Sequence, residues 1–170
     1  MIINVINMVK PYGLTMRGIA KKENKILLLK RHPKSKTGAC QWELPGGKVE
    51  KGEFFDEALI REFKEETNLD VTLGEFYEAI QQDFVKKRTV QLIINVIPEN
   101  YNVKISKEHI DYSWVDIEKI KTLDITEGLE KILNKKYGKI IKWLIKNFVF
   151  KKYQRIPHLK LKSFCQHLLL

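Results

Sequence analysis

The segment at residues 45–69 constrains the fold of this chain more than any other part of the sequence. It opens with Pro45, Gly46 and Gly47, a turn-forming run that follows a short apolar strand. Two adjacent glycines allow backbone carbonyl groups to approach a ligand closely. Apolar residues then recur at helical spacing, at Phe54, Phe55, Ala58, Leu59 and Phe63. The segment therefore predicts a tight loop followed by a helix with one buried face.

Three carboxylates lie within one turn of this predicted helix. Glu62, Glu65 and Glu66 occupy positions i, i+3 and i+4, which share one helix face. Like charges at this spacing repel each other and weaken a helix unless a positive group lies against them. A hard divalent cation such as Mg²⁺ or Mn²⁺ prefers oxygen ligands of this kind. The cluster therefore favours a metal site, with a solvated acidic face as the alternative.

The spacing of the whole segment resembles the Nudix box, the signature of hydrolases that cleave nucleoside diphosphates linked to another group. One position departs from the pattern, because Asn68 stands where the box has glycine. The approach to the box, residues 42–46, is similar to that of MutT-like members, and the resemblance extends over roughly residues 18–120. The matching positions are Gly47, Glu53, Arg61, Glu62, Phe63, Glu65, Glu66 and Leu69.

The resemblance implies a set of catalytic and metal-binding residues. Glu65 and Glu66 are expected to bind Mg²⁺, with Mn²⁺ as an alternative ion, and the carbonyl group of Gly46 is expected to be a further ligand. Glu62 is either the general base or another ligand. Metal ions would neutralise the pyrophosphate, orient it and lower the pKa of a bound water molecule, and a carboxylate would take the proton from that water.

Two box positions have structural interpretations. Arg61 either forms an ion pair with Glu53, fastening the loop to the helix, or orients a catalytic carboxylate. We favour the ion pair because arginine makes bidentate contacts with carboxylates. Asn68 is the mildest replacement for a glycine at the end of a helix, since asparagine also adopts the left-handed backbone conformation found there.

Residues outside the box complete the predicted site. MutT-like enzymes place a glutamate on a later loop, several residues before a tryptophan. Glu108 matches that place as an outlying metal ligand or base, with an ordinary exposed loop glutamate as the alternative interpretation and Asp111 as a weaker candidate. We interpret His109 as a loop histidine, because an oxygen-rich metal site has no need of it.

The end of the strand at residues 25–30 supplies candidate phosphate contacts. In MutT-like enzymes an arginine at this position contacts the phosphates of the substrate. Arg31 matches that arginine, and Lys30 lies beside it. The alternative interpretation is a solvated strand end. We predict that both residues contact substrate phosphates.

The order of predicted elements indicates an α/β fold. Strands are expected at residues 14–20, 25–30, 71–82 and 88–97, the last two forming a hairpin around a charged turn. A short strand near 111–115, a helical turn at 117–120 and a helix at 125–136 follow. This order suits an α/β sandwich with a mixed sheet, and the resemblance implies the Nudix-type α/β/α sandwich.

The positive charge of the chain is concentrated at its C-terminal end. All 21 acidic residues precede Lys135, whereas ten basic residues follow from there, so residues 135–170 hold the net charge of +10. We therefore divide the chain into a Nudix hydrolase domain at 1–134 and a basic amphipathic extension at 135–170. The apolar stripe of the extension comprises Ile140, Ile141, Leu144, Ile145, Phe148 and Val149.

Three roles are open for the extension. We favour a helix packed on the domain or on a second copy of the chain, in a homodimer, with its lysines in water. A basic amphipathic helix could instead contact an anionic surface such as a membrane. A nucleic-acid contact is disfavoured, because the domain is neutral overall and only the extension is basic. A zinc site at His158, Cys165 and His167 lacks paired ligand spacing.

The remaining composition favours a single cytoplasmic enzyme domain. A chain of 170 residues suits one domain. Cys40 and Cys165 are far apart and lack metal-binding or redox spacing, which indicates free thiols in a reducing compartment. The first residues have no basic leader and no small-residue cleavage site, so we expect a strand or arm there.

These features predict a Mg²⁺-dependent Nudix hydrolase that cleaves the pyrophosphate linkage of a nucleotide. A nucleoside triphosphate, normal or oxidised, is the leading substrate class, and its products would be the monophosphate and pyrophosphate. ADP-ribose or another nucleoside diphosphate derivative is the alternative. The competing hypothesis from another class is a binding module without activity, which would be expected to lack box carboxylates.

Overall fold

The computed structural model describes residues 10–144 of the chain, with side chains up to residue 135. The chain divides into two units, Met1–Ile132 and Leu133–Leu170, and the description below concerns the first. The elements are β1 (Tyr12–Lys22), β2 (Lys25–Arg31), β3 (Trp42–Glu43), α1 (Phe55–Thr67), β4 (Val71–Asp83), β5 (Arg88–Pro98), β6 (His109–Asp116), a 3₁₀ helix (Ile117–Thr122) and α2 (Glu127–Leu144).

The six strands form one mixed sheet. The order is β3-β2-β1-β5-β4. Strand β6 lies outside this order and pairs with β2 along the length of β2, from Lys25 to Arg31. The β1–β5 pair is parallel and runs from Tyr12 opposite Arg88 to Ala20 opposite Val96. The other strand pairs are antiparallel. This mixed arrangement confirms the predicted α/β class with a mixed sheet.

Strands β1 and β2 separate soon after the turn that joins them. Their only paired residues are at Lys21–Lys22 and Lys25–Ile26. The loop after β3 enters the gap: Met16 N–H donates to the Gly47 carbonyl at 2.8 Å, and Gly18 N–H donates to the Pro45 carbonyl at 2.9 Å. The glycine loop is therefore fixed to the edge of β1 by the same kind of hydrogen bonds that hold a strand.

Helix α1 packs its apolar face on the sheet. Ala58, Leu59 and Phe63 are fully buried in the main core. The ring of Phe63 lies directly over Gly18 of β1, where a β-carbon would collide with it. This packing fixes the position of the helix relative to the glycine loop, and so fixes the backbone of the neighbouring residues Glu62, Glu65 and Glu66.

The predicted apolar face of α1 was wrong at its first two positions. Phe54 and Phe55 are 71% and 51% exposed. Phe54 is the N-terminal cap, with extended backbone, and Phe55 is the first helical residue. Both therefore precede the turns that lie over the core. The pattern predicted the buried face correctly only from Ala58 onward.

The C-terminal end of α1 has the predicted geometry. Asn68 adopts the left-handed conformation, with φ of 57° and ψ of 16°, and its N–H donates to the Lys64 carbonyl at 2.9 Å. Asparagine is one of the few residues other than glycine that adopts this conformation readily. Its replacement of the usual box glycine therefore preserves the way the helix ends.

Most other elements agree with the sequence prediction. The β4–β5 hairpin, the 3₁₀ helix and α2 are present. Strand β6 begins two residues earlier than predicted, at His109, which is 5% exposed. The interpretation of His109 as a loop histidine was therefore wrong, because it pairs with Arg31 of β2. No helix within residues 10–144 is long and apolar enough to cross a membrane.

The role predicted for the C-terminal extension falls almost entirely outside the described residues, as do the predicted N-terminal strand and the rejected zinc site. Helix α2 is described to Leu144, and the side chains beyond residue 135 are not described. The domain boundary at residue 134 and the three roles of the extension stay predictions.

Candidate active site

The three box carboxylates lie on the last two turns of α1, beside the glycine loop. Their environments differ. The side chain of Glu65 is 59% exposed, that of Glu62 is 17% exposed and that of Glu66 is 9% exposed. The exposed fraction decreases from the solvent side of the helix toward the loop. The three acids therefore form a graded acidic edge along α1.

Arg61 joins two of these acids to the start of the box. Its Nε and Nη2 atoms contact the two carboxylate oxygens of Glu53 at 2.7 and 3.1 Å. Its Nη1 atom lies 3.1 Å from Glu62 and 3.2 Å from Glu65. Nη2 also donates to the Lys48 carbonyl at 3.3 Å. Both interpretations of Arg61 are therefore compatible with its contacts, since it fastens the loop and also orients two site carboxylates.

The ion pair with Arg61 affects Glu53 as well. Hydrogen bonds from Arg61 and then from the Glu50 N–H lower the pKa of Glu53 below its usual value. The pKa of Arg61 is raised, first by its hydrogen bond to Glu53. The contact favours the ionised form of both groups and fastens the loop to the helix.

Glu66 binds the glycine loop directly. The Gly46 N–H donates to its Oε2 atom at 2.7 Å, and the residue is 7% exposed. Burial raises the pKa of Glu66 to about 7, although Arg17 and His109 act in the opposite direction. A buried carboxylate with so high a pKa is short of positive charge, so the environment of Glu66 favours binding a cation.

Glu62 lies against the other glycine of the loop. A β-carbon on Gly47 would collide with the carboxylate of Glu62, so a larger residue at this position would displace the Glu62 side chain. Burial is the main cause of a raised pKa at Glu62, and Glu65 adds to it, whereas Arg61 opposes it. The pKa of Glu62 is thereby moved toward the range in which a carboxylate works as a general base.

The donor chemistry fits Mg²⁺ or Mn²⁺. Carboxylates and the Gly46 carbonyl are oxygen ligands of the kind these ions prefer. Within residues 10–144, no group of three His, Cys, Asp or Glu side chains is arranged as a complete metal site. In this conformation Arg61 lies between Glu62 and Glu65 and partly neutralises them. The residues present therefore fit the ion by the type of their donor atoms, and the raised pKa of Glu66 adds to this fit.

A second, buried group of charges lies behind the loop. Glu43 of β3 is 4% exposed and contacts two arginines, at 2.9 Å from Arg17 Nη2 and in a short ion pair with Arg31 Nη1. The Nε2 atom of His109 lies 3.4 Å from Glu43 and 3.9 Å from Glu66. This group connects the candidate phosphate contact Arg31 with the acidic edge of α1.

Arg17, Glu43 and His109 were missed as site residues at the level of sequence. A signal for Arg17 existed, because a charged residue inside an otherwise apolar strand must be paired when it is buried. The sequence gives no partner, since Glu43 lies 26 positions away and His109 lies on another strand. Only the assembled sheet brings the three together.

The candidate phosphate residues already have partners in this structure. The Nε atom of Arg31 donates to the Thr37 carbonyl at 2.9 Å, and its Nη1 atom binds Glu43. The ammonium group of Lys30 lies over the Trp42 ring, 5.7 Å from its centre. Arg31 is held at the strand end next to the site, while Lys30 is directed to a neighbouring surface. Their phosphate roles stay predictions.

The outlying acids are on the surface. Glu108 is exposed in the turn before β6, and its backbone is fixed by hydrogen bonds to His32 and Ser106. Asp111 is also exposed and accepts a hydrogen bond from the Tyr112 N–H. Neither side chain is brought into contact with the α1 carboxylates, so the metal or base role of Glu108 stays a prediction.

Known proteins share this fold and sequence pattern. A family model described as the NUDIX domain matches residues 13–144. Nucleoside triphosphatase NudI of Escherichia coli O139:H28 (strain E24377A / ETEC) is 34% identical over 107 residues, covering 56% of this chain and 76% of the relative.

Solved structures give the same comparison in three dimensions. The MutT protein from Methanosarcina mazei Go1 superposes with a TM-score of 0.68 at 31% identity, covering 74% of this chain and 93% of that protein. The ORF135 protein of E. coli superposes with a TM-score of 0.64 at 25% identity, covering 74% and 88%.

Proposed function

Because this chain belongs to the NUDIX family and is a Nudix-type hydrolase, we propose that it cleaves nucleoside triphosphates to the monophosphate and pyrophosphate with the help of Mg²⁺. The single observation that supports this best is the convergence of two buried or half-buried carboxylates, Glu66 and Glu62, on the Gly46–Gly47 loop. Both have raised pKa values. A divalent cation would supply the positive charge that these acids lack.

The residues divide into those that hold the ion and those that move the proton. Glu65, Glu66 and the Gly46 carbonyl would hold Mg²⁺, with Mn²⁺ as a substitute, and Glu108 would be an outlying ligand. When bound, the ion supplies charge neutralisation for the phosphates and acidifies a water molecule. Glu62, raised in pKa and next to the loop, accepts a proton from the attacking water.

Positively charged side chains have separate tasks. Arg61 holds Glu62 and Glu65 at 3.1 and 3.2 Å and so orients the acids before the substrate arrives. Arg31 lies at the edge of the same site and contacts the phosphates, with Lys30 adding positive field nearby. Because Arg31 is anchored by Glu43 and the Thr37 carbonyl, little side-chain entropy is lost when phosphate binds.

The substrate class is supported by sequence similarity. The relative at 34% identity is named a nucleoside triphosphatase, and the similarity covers 76% of its length. Box residues set the diphosphate chemistry, whereas loops outside the box read the base and sugar. A normal or oxidised nucleoside triphosphate is therefore the substrate class we propose, with ADP-ribose and other nucleoside diphosphate derivatives as the alternatives to be measured.

The test is release of phosphate and pyrophosphate from a panel of nucleotides with Mg²⁺. The panel includes normal and oxidised triphosphates, ADP-ribose, dinucleoside polyphosphates and coenzyme A. Glu65→Gln should reduce turnover by roughly two orders of magnitude or more, because it removes a metal-binding charge at almost constant volume. The matched control is Glu57→Gln, which removes an exposed carboxylate from the first turn of the same helix.

The outcomes test the substrate class, the metal-binding role of Glu65 and the choice between an enzyme and a binding module. Release from triphosphates that depends on Glu65 but not on Glu57 supports the proposal. Release confined to ADP-ribose would replace the substrate class. Normal turnover by a folded Glu65→Gln variant would refute the metal assignment, and no release from the whole panel would favour the binding-module hypothesis.

A further inference from the structure

Arg17 is a partly buried charge on β1 that the proposed mechanism does not use. Its side chain is 14% exposed. It follows Met16 and precedes Gly18, the two residues whose N–H groups bind the carbonyls of the glycine loop. The guanidinium of Arg17 is thus attached to the strand segment against which the loop is fixed.

The guanidinium contacts the loop through backbone oxygens. Its Nη1 atom donates to the Leu44 carbonyl at 2.8 Å and also makes a short hydrogen bond to the Gly46 carbonyl. The Gly46 carbonyl is the oxygen assigned above as a metal ligand. Gly46 has a φ of 125°, a conformation that other residues rarely adopt, and a β-carbon there would collide with the Met16 carbonyl. The backbone conformation at Gly46 is therefore tightly restricted, and the hydrogen bonds from Arg17 restrict it further.

The charge of Arg17 is balanced inside the protein. Its Nη2 atom lies 2.9 Å from the Glu43 carboxylate, which is 5% exposed. An unpaired guanidinium next to a cation site would repel the cation. Because Glu43 carries the opposite charge, Arg17 keeps its hydrogen bonds to the loop while adding little net positive charge there.

From these contacts we infer that Arg17, held by Glu43, is a positioning residue that fixes the Gly46 carbonyl for metal binding. A carbonyl oxygen has two lone pairs, so it accepts one hydrogen bond and still coordinates an ion. With Nη2 paired to Glu43, Nη1 of Arg17 is held against the Gly46 carbonyl and fixes the orientation of that oxygen. This inference rests on the proposed function, because it requires Gly46 to be a metal ligand.

The experiment measures metal affinity directly on the full-length chain. Mn²⁺ is titrated into metal-free protein and followed by the loss of the free-ion signal in electron paramagnetic resonance. Arg17→Met removes both hydrogen bonds to the loop and replaces the arginine with an unbranched side chain that has no charge. The matched control is Arg88→Met, which removes an exposed arginine that pairs with Asp83 at the far end of the sheet.

The expected result is a rise in the Mn²⁺ dissociation constant for Arg17→Met of about tenfold or more, the size found when a group that orients a metal ligand is removed. Arg88→Met should bind like the wild type. Thermal unfolding of the metal-free proteins is measured in parallel, because a purely structural role would lower stability and leave the affinity of the folded protein unchanged.

Two further variants keep the test decisive. If Arg17→Met does not fold, Arg17→Lys keeps the charge but contacts fewer acceptors, and its dissociation constant should rise severalfold. Glu43→Gln keeps the shape but removes the balancing charge, so it should weaken Mn²⁺ binding as well. Unchanged affinity in a folded Arg17→Met, or in Arg17→Lys where the first does not fold, overturns the inference.

Measurements of Mn²⁺ binding and hydrolysis by the wild-type protein show whether a negative result concerns the role of Arg17 or the proposed function. Wild-type protein that binds Mn²⁺ and hydrolyses a triphosphate, together with unaffected Arg17 variants, overturns only the role of Arg17. Wild-type protein that neither binds Mn²⁺ nor hydrolyses the panel overturns the proposed function, and the inference with it.

Discussion

Glu66 and Glu43 are both buried glutamates near the glycine loop, yet their pKa values are displaced in opposite directions. Burial acts to raise both. At Glu43 the arginines Arg17 and Arg31 and the hydrogen bond with His109 outweigh burial and lower the pKa to about 2. At Glu66 the same kind of opposition is weaker, and the pKa rises to about 7. Glu43 is therefore a permanently ionised structural acid, whereas Glu66 is an acid that lacks a counter-charge.

The raised pKa of Glu66 predicts how stability depends on pH without metal. A carboxyl group whose pKa is higher in the folded state binds protons more tightly there, so folding is favoured as the pH falls. The free energy of unfolding should therefore increase as the pH falls from about 7 toward the ordinary glutamate value of 4.5. Glu66→Gln should lose this increase.

The measurement is chemical denaturation of wild type and Glu66→Gln between pH 5 and pH 8 with a chelator present. Other groups titrate in both proteins, so the difference between the two curves isolates Glu66. That difference should vary between about pH 4.5 and 7 and stay constant above it. Parallel curves over the whole range would contradict the burial assigned to Glu66.

At the residue scale, the sequence predicted what is local. The acids Glu62, Glu65 and Glu66 were found because helical spacing puts them on one face, and the Glu53 partner of Arg61 was found because the two lie within one loop–helix unit. The pairing of Arg17 with Glu43 depends on the place where β1 and β2 separate. No local pattern encodes that separation, so these residues could not be assigned from sequence.

Helix α1 shows how one element fixes the position of the site carboxylates relative to the sheet. Its buried face is anchored by Phe63, one residue after Glu62 and two before Glu65. The carboxylates therefore cannot move without moving a fully buried ring. The helix ends two residues after Glu65, where Asn68 turns the chain back toward β4. The geometry of this end decides whether the last turn, and so Glu65 and Glu66, stays helical.

The left-handed conformation of Asn68 predicts opposite effects for two small substitutions. Asn68→Gly should be neutral or slightly stabilising, because glycine adopts a φ of 57° without steric cost. Asn68→Ala should destabilise the protein by about 1 kcal/mol, because a β-carbon disfavours this region. Urea denaturation of the three proteins measures both effects, and a clear loss of stability in Asn68→Gly would exclude this account of the helix end.

At the element scale, strands and helices with strong periodicity were predicted within a few residues, and the hairpin around 83–87 was placed correctly. Strand β3, only two residues long, was expected as a short apolar strand before the glycine turn, but its bounds were not predicted, because two residues have no period. The exposure of Phe54 and Phe55 was also missed, since the spacing of apolar residues does not show that the start of the helix extends beyond the core.

The whole chain combines a neutral domain with a basic C-terminal segment. Our preferred interpretation leaves the lysines of that segment in water. Replacing Lys139, Lys142 and Lys146 with glutamine should therefore change kcat/KM by less than about twofold, because charges that lie in water are screened by salt. The matched control replaces three exposed lysines of the domain, Lys51, Lys86 and Lys107, and removes the same charge.

Vesicle sedimentation distinguishes the alternatives for the segment. Under the preferred interpretation, neither wild type nor variant binds vesicles that contain anionic lipid. Binding by the wild type that is lost in the segment variant but kept in the domain variant would instead favour the anionic-surface role. Loss of turnover in the segment variant alone would place these lysines near the substrate.

The parallel pairing of β1 with β5 has a consequence for when activity appears as the chain is made. Tyr12 lies opposite Arg88, so β1, the first strand among the described residues, can form this pairing only after the fifth strand has been synthesised. The glycine loop is hydrogen-bonded to β1, and α1 packs on the same strand. Contacts so distant in sequence form late and slowly. A nascent chain that ends between residues 70 and 87 therefore has every box residue but lacks β5, the strand that brings β1 into the sheet.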